Sequence, residues 1–118
     1  MTIKTKRIYE PYNKSDGYRV LVDRLWPRGI KKEDAHIDIW MKEVAPTTEL
    51  RKWFDHDPEK WTQFLAKYRK ELTKSAAFEQ LESFLKEHNT ITLLYGAKDE
   101  QYNQALALKK FLEGEDAG

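Results

Sequence analysis

The chain has 118 residues, with 21 Lys plus Arg against 20 Asp plus Glu, 3 His and no Cys, giving a net charge of +1. Near-neutrality argues against a general nucleic-acid binder, whose electrostatic footprint is a large positive excess. The lack of thiols removes a cysteine nucleophile, a disulfide framework and any Cys-built zinc or iron–sulfur site. A hydrophobic share of 40% with 13% aromatic residues predicts one compact soluble core rather than a disordered chain. The opening residues carry no apolar run of signal-peptide length, and nothing approaches the roughly 18 apolar residues that span a bilayer. A cytoplasmic protein is therefore expected, with one domain over residues 1–112 and a flexible acidic tail, EGEDAG, over 113–118.

Ile3 to Tyr9 interleaves β-branched residues with Lys and Arg, which suits an exposed or edge strand. After the turn signal at 13–17, Tyr18 to Asp23 reads as a strand with Tyr18, Val20 and Val22 on one face. Arg19, Leu21 and Asp23 occupy the other face, and Arg19 is expected to reach an exposed carboxylate. A short helical turn over Lys32 to Ala35 leads to Ile37–Met41, whose alternation predicts a third strand. Thr47 is placed to cap a short helix carrying Leu50, Trp53 and Phe54. Asp57 with Pro58 opens a longer helix whose stripe is Trp61, Phe64, Leu65, Tyr68 and Leu72. Ala76 to Glu87 forms a third helix that ends at His88-Asn89, where Asn suits a left-handed cap.

Thr90 to Tyr95, TITLLY, is the most apolar run and predicts a central strand buried on both faces. A helix over about 100–112 follows it. The order of elements predicts an α/β single domain: a mainly parallel sheet of about four strands with helices packed on its faces.

Ligands collect beyond the carboxyl ends of such strands, which directs attention to Asp23-Arg24-Leu25-Trp26-Pro27-Arg28-Gly29 and to Tyr95-Gly96-Ala97-Lys98-Asp99. If the two strands are parallel neighbours, Arg24, Arg28, Tyr95, Lys98, Asp99 and Asn103 would converge. Guanidinium groups match carboxylate and phosphate, and Trp26 is suited to stack on a planar ligand. The opposing reading pairs Asp23 with Arg24 or Arg28 internally and makes Trp26 a core lid. Asp99 is expected to cap the last helix, with general-base chemistry as the alternative. Asn103 then falls inside that helix, where a side-chain partner would explain a mediocre helix former.

His56 is the other candidate proton carrier. Asp55-His56-Asp57 lacks the spacing of a metal set, so no metal is expected, and the ring is expected beside Trp53 or Trp61. His36 and His88 are expected in solvent. Dinucleotide, P-loop and α/β-hydrolase signatures are absent, a cysteine-phosphatase or persulfide mechanism is excluded by composition, and no cofactor is implied.

Three segments, RVLVDRLWPRG (19–29), WMKEVAPTTELRKWFDHDPEKW (40–61) and TLLYGAKDEQYNQA (92–105), together resemble the bacterial family domain of unknown function 488, in its YeaO-like branch. Gly96 departs from the Ala or Ser that members often carry. The resemblance implies a small single-domain α/β protein and supplies no activity, cofactor or catalytic residue. Its motif residues here are Asp23, Arg24, Trp26, Pro27, Arg28, Trp53, His56, Tyr95, Asp99 and Asn103.

The expected function is binding of an anionic small molecule at the strand-end loops: Arg24, Arg28 and Lys98 for the anion, Trp26 and Tyr95 as walls, Asp99 and Asn103 for orientation. The alternative is a nucleic-acid or protein module built on the first 35 residues, which hold nine Lys or Arg against five acidic residues. No membrane partner is expected.

Overall fold

The run TITLLY becomes an inner strand, and the other elements are arranged around it. In the computed structural model, which describes residues 2–114, strands β1 (Thr2–Arg7), β2 (Tyr18–Leu21), β3 (Ile39–Trp40) and β4 (Thr90–Tyr95) pair in parallel in the order β1-β4-β2-β3. Five helices complete the domain: α1 (Lys32–Ala35), α2 (Thr48–Phe54), α3 (Trp61–Leu72), α4 (Ala76–Glu87) and α5 (Gln104–Leu112). Ile91 to Tyr95 are all buried, because β4 is hydrogen-bonded on both sides and covered on both faces. β1 lies at an edge, where its Lys and Arg side chains discourage further pairing. The last four residues of the expected acidic tail, 115–118, lie outside the described residues.

Strand alternation sorts the interior into two sets. Ile3, Val20, Val22, Ile91, Leu93 and Tyr95 meet Phe54 of α2, Phe64 and Tyr68 of α3, Leu81 of α4 and Leu108 of α5 in the larger core. Phe54 and Phe64 stack with centroids 4.1 Å apart, a contact worth about 0.5–1.5 kcal/mol beyond its buried area. The fully buried Tyr68 donates its hydroxyl to the Val44 carbonyl at 2.5 Å, so its polar tip enters the core satisfied. Ile8, Leu21 and Leu94 point the other way, beneath Trp26, Ile30, Ile37 and Trp40. The helices thus divide unequally: α2 to α5 on one face, and only α1 beside the other.

That thinly covered face is held by Arg19, which is 2% exposed. Its guanidinium donates to the Asp16 carboxylate, to the Ala35 carbonyl at 3.1 Å and to the His36 carbonyl at 2.9 Å. Lys6 Nζ lies 3.1 Å from the same carboxylate, and Thr92 Oγ1 donates to the Asp16 carbonyl at 2.6 Å. The carboxylate expected for Arg19 is therefore buried, not exposed. The physical reason is that β2 is an inner strand, so the turn before it and α1 after it close over its second face.

Other boundaries shift for local reasons. β2 stops at Leu21, which leaves Asp23 in the loop beyond the strand, and the third strand shortens to Ile39–Trp40. Asp57 caps a short 3-10 turn, Pro58–Lys60, that precedes α3. His88 ends α4 in extended geometry at φ −129°, because the chain runs directly into β4 without a left-handed reversal. His88 is also not free in solvent: it is half-buried with its ring stacked 3.9 Å from that of Tyr18. His36 is exposed and stacks on Tyr12.

Gly17 has φ +68°, and a β-carbon there would sit 2.3 Å from the Thr90 carbonyl oxygen. Gly29 has φ +80° with open space around it. Urea unfolding should show Gly29→Ala losing about 1–2 kcal/mol from left-handed strain alone, and Gly17→Ala losing clearly more because backbone must also move. Asp16→Asn leaves Arg19 buried beside a neutral partner and should cost about 3–5 kcal/mol. Burial raises the Asp16 pKa, but hydrogen bonds from Lys6, the Asn13 amide and Arg19 outweigh it and hold the group below its ordinary 3.8. A folded-state pKa below the unfolded one gives stability that is present above pH ~4 and lost as pH falls. Acid unfolding of the wild type, compared with Asp16→Asn, measures that loss directly.

Candidate functional site

β2 and β4 are parallel neighbours, with Leu21 opposite Leu94, so the loops after them leave the sheet side by side. Beyond these strand ends lies a cleft of about 210 Å³ whose polar lining is Asp23, Arg24, Arg51, His56 and Gln104. Leu25, Ala45, Pro46 and Ala97 supply apolar wall. The volume is below the roughly 300 Å³ at which drug-sized pockets begin, which restricts an occupant to a small molecule or a single functional group of a larger one.

Asp23 joins the two strand ends. The Gly96 amide donates to its Oδ2 at 2.8 Å, and Gln104 Nε2, from the first residue of α5, donates to its Oδ1. Its backbone carbonyl accepts from Trp40 Nε1 at 2.7 Å. Burial pushes the carboxyl from 3.8 up to about 6, against the two hydrogen bonds and the charges of Arg51 and His56, which pull it down. A β-carbon on Gly96 would lie 3.0 Å from Asp23 Oδ2, so glycine allows this close approach of loop backbone to carboxylate.

Arg24 is aimed by α2's entry segment. Its Nη2 donates to the Ala45 carbonyl at 3.1 Å and its Nε to the Pro46 carbonyl at 3.3 Å, which leaves Nη1 for another acceptor. Arg51 projects from α2, is exposed, and makes no side-chain hydrogen bond or ion pair among the described residues. His56 Nδ1 lies 2.7 Å from the Tyr102 carbonyl. A carbonyl only accepts, so Nδ1 carries the proton and Nε2 is the nitrogen available for exchange. Asp55 and His56 both adopt left-handed backbone, at φ 47° and 53°, a conformation that costs non-glycine residues of order 1–3 kcal/mol each and gathers at functional sites.

Of the residues expected to converge, only Arg24 lines this cleft, and His56, the separate candidate proton carrier, lines it as well. Trp26 is half-buried on the opposite sheet face, donating to the Ile30 carbonyl at 2.7 Å and packing edge-on against Trp40. Arg28 is exposed, and its carbonyl accepts from the Tyr9 hydroxyl at 2.9 Å. Tyr95 faces the larger core at 3% exposure, its hydroxyl bonded to Asn103, and burial raises its pKa. Lys98 is exposed and outside the lining.

Four readings are corrected here. Asp99 does not cap α5: its Oδ1 accepts from the Gln101 and Tyr102 amides at 2.9 Å, holding a turn. Asn103 is not inside α5 but is its N-cap, fully buried, accepting from the Leu106 amide at 3.0 Å and donating to the Asp99 carbonyl at 2.8 Å. An Asn in extended geometry is as good a cap as Asp, so the helix starts one turn later than the acidic residue suggested. Asp23 pairs with neither Arg24 nor Arg28, because the amide of Gly96 and the side chain of Gln104 occupy its oxygens. The His56 ring lies 5.8 Å from that of Phe54, rather than beside Trp53 or Trp61.

Arg51 and Gln104 are not singled out by the sequence, and Asp23 enters there only as a motif residue and a possible internal partner of Arg24 or Arg28. Asp23 carried a signal, since it ends a strand face in charge. Arg51 resembles any solvent-facing helix residue, and Gln104 emerges as a first-turn residue only once Asn103 is read as the cap. Among the described residues no group of three His, Cys, Asp or Glu side chains is placed to hold a metal, and no helix is long and apolar enough to cross a membrane.

A carboxyl whose folded pKa is raised contributes stability below its unfolded pKa, and that contribution is lost as pH rises through the folded value. Between pH ~4 and ~6 this group should therefore lower unfolding free energy by about 1–3 kcal/mol. Asp23→Asn should flatten that segment of the profile and be more stable than wild type at pH 7. Urea unfolding across this range checks the slope, and the carboxyl carbon resonance of Asp23 should titrate near pH 6.

Comparison with known proteins matches residues 2–117 to the family described as the inactive DUF488-N3 subclade. The uncharacterised protein YeaO of Escherichia coli K12 is 45% identical over 112 residues, which cover 95% of this chain and 97% of that protein. Uncharacterised proteins of Mycobacterium bovis and Mycobacterium tuberculosis H37Rv are each 39% identical over 112 residues, 95% of this chain and 94% of theirs. No solved structure matches. The chain belongs to the inactive DUF488-N3 subclade of the DUF488 family, and it is similar along nearly its whole length to YeaO.

Proposed function

We propose that this protein is a cytoplasmic binder of a small anion, a carboxylate or phosphate group, held in the cleft beyond β2 and β4. One observation carries the reading: the guanidinium groups of Arg24 and Arg51 line the same small cleft, and Arg24 is held there by two backbone carbonyls. A planar donor fork fixed in advance loses less entropy on pairing with an oxyanion than a mobile side chain does. His56 lines the same cleft, with its Nδ1 committed to the Tyr102 carbonyl. The description of the family as inactive supports binding without turnover. Of the residues singled out in the sequence, Arg24 and His56 belong to this proposal; Asp23, Arg51 and Gln104 join them.

Nucleic-acid or protein binding by the basic first third draws less support. Lys4, Arg7, Arg19 and Arg24 donate to backbone carbonyls, and Lys6 and Arg19 pair with Asp16. Trp26 has its ring against Trp40, which leaves it poorly placed to stack on a base.

Titration with inorganic phosphate and with acetate, followed by amide chemical shifts, should move the Gly96 and Gln104 signals saturably. Hydrogen bonds to charged groups are worth about 1.5–3 kcal/mol each, so Arg24→Ala with Arg51→Ala should weaken binding at least ten-fold. Saturable binding that survives the double substitution would sink the proposal.

A further inference from the structure

The cleft holds more than cations. Its floor is the Asp23 carboxylate, each of whose oxygens accepts one protein hydrogen bond and keeps a further lone pair. Beside it stand the Gln104 side chain, whose amide nitrogen is committed to Asp23, and His56, whose Nδ1 is committed to the Tyr102 carbonyl. The Gln104 carbonyl oxygen and His56 Nε2 are the remaining polar atoms of these two lining residues. A bare anion would use Arg24 and Arg51 and leave a carboxylate and two acceptors facing it, which is unfavourable.

We propose, building on the anion site above, that the occupant is a hydroxylated anion, a hydroxy acid or hydroxyalkyl phosphate, whose oxyanion pairs with Arg24 and Arg51 while its hydroxyl pairs with Asp23 and Gln104. A hydroxyl both donates and accepts, so it suits Asp23 in either protonation state, which matters for a carboxyl held near pH 6. It donates to the carboxylate when Asp23 is ionised and accepts from the acid when it is not. An ammonium group pairs only with the ionised form, and it would sit beside two guanidinium groups lining the same cleft. The cleft volume of about 210 Å³ suits a few heavy atoms bearing both functions. His56 lines the same cleft, and with Nδ1 committed to Tyr102 its Nε2 is the atom left to serve as a third hydroxyl partner.

The test uses matched pairs that differ only by the hydroxyl: lactate against propionate, and 2-hydroxyethyl phosphate against ethyl phosphate. Each is titrated into the full chain at pH 7 with amide chemical shifts as readout. The hydroxylated member of at least one pair should bind ten-fold or more tighter than its partner, and which pair responds distinguishes a carboxylate from a phosphate. In Asp23→Asn that preference ratio should fall to within about two-fold of unity, because an amide replaces a carboxylate at the hydroxyl. Equal binding within both pairs, or tighter binding of the deoxy members, overturns this inference while leaving the anion site standing. Saturable binding by none of the four overturns both.

Discussion

The buried pairing of Arg19 with Asp16 is the interaction on which the arrangement of this small domain turns. Four of five helices lie on one face of the sheet, so the other face must be closed by loops, whose backbone polar groups need partners. Arg19 supplies them: one guanidinium gathers the carboxylate of the turn before β2 and two carbonyls at the end of α1, with Tyr12 over its plane at 5.2 Å. Lys6 from β1 and Thr92 from β4 reach the same aspartate. Three strands and two loops are thereby tied through one pair of charges. A hydrophobic plug of equal volume would match its stability but would leave those carbonyls without donors.

This closure sets the character of the surface. The basic excess of the first 35 residues looks in the sequence like an exposed positive face. In the fold, Lys4, Lys6, Arg7, Arg19 and Arg24 instead direct their nitrogens to carbonyls or to Asp16. Arg24 differs from the others because the carbonyls it binds, those of Ala45 and Pro46, line the cleft. The interaction that immobilises its side chain also leaves Nη1 uncommitted on a residue that lines that space.

Much of the architecture was legible because its causes are local. Period-2 and period-3.6 patterns gave TITLLY as an inner strand and α4 to the residue, they gave the buried stripe of α3 although its start moves from Pro58 to Trp61, and the turn chemistry of residues 13–17 located β2. The candidate site was half legible. Strand-end logic directs attention to the loops after β2 and β4, which the parallel pairing of those strands brings side by side, but which side chains of a loop turn inward depends on contacts made 70 to 80 residues away. Asp23 meets Gly96 and Gln104 across such separations, and Trp26 turns outward to Trp40 because Leu21 and Leu94 require cover. Asn103 was misplaced because Asp99 offered an equally plausible cap one turn earlier, and only the buried contacts of Tyr95 and Asn103 decide between them. The 2-residue β3 shows the limit of alternation as a signal: a strand ends where its partner does, and β2 has only four residues.

Most of the chain obeys local rules, with caps where helices begin and apolar residues where strands are covered. Two departures meet at the cleft: His56 in left-handed geometry and Asp23, whose carboxyl burial holds above its ordinary range, both line it. His36 and Asp55 adopt the same geometry as the C-caps of α1 and α2. A chain that needed only to tie β2 to α5 would do so with an uncharged amide at lower cost, since burying an ionisable carboxyl opposes folding at neutral pH. Stability is therefore lower at this end of the sheet than packing alone would require, a local conflict for which the proposed anion site would account. Chemistry by a thiol is closed to this chain by composition, but recognition of an anion needs no nucleophile. It needs donors fixed in advance, and beside Asp23 the two backbone carbonyls that hold Arg24 supply one of them.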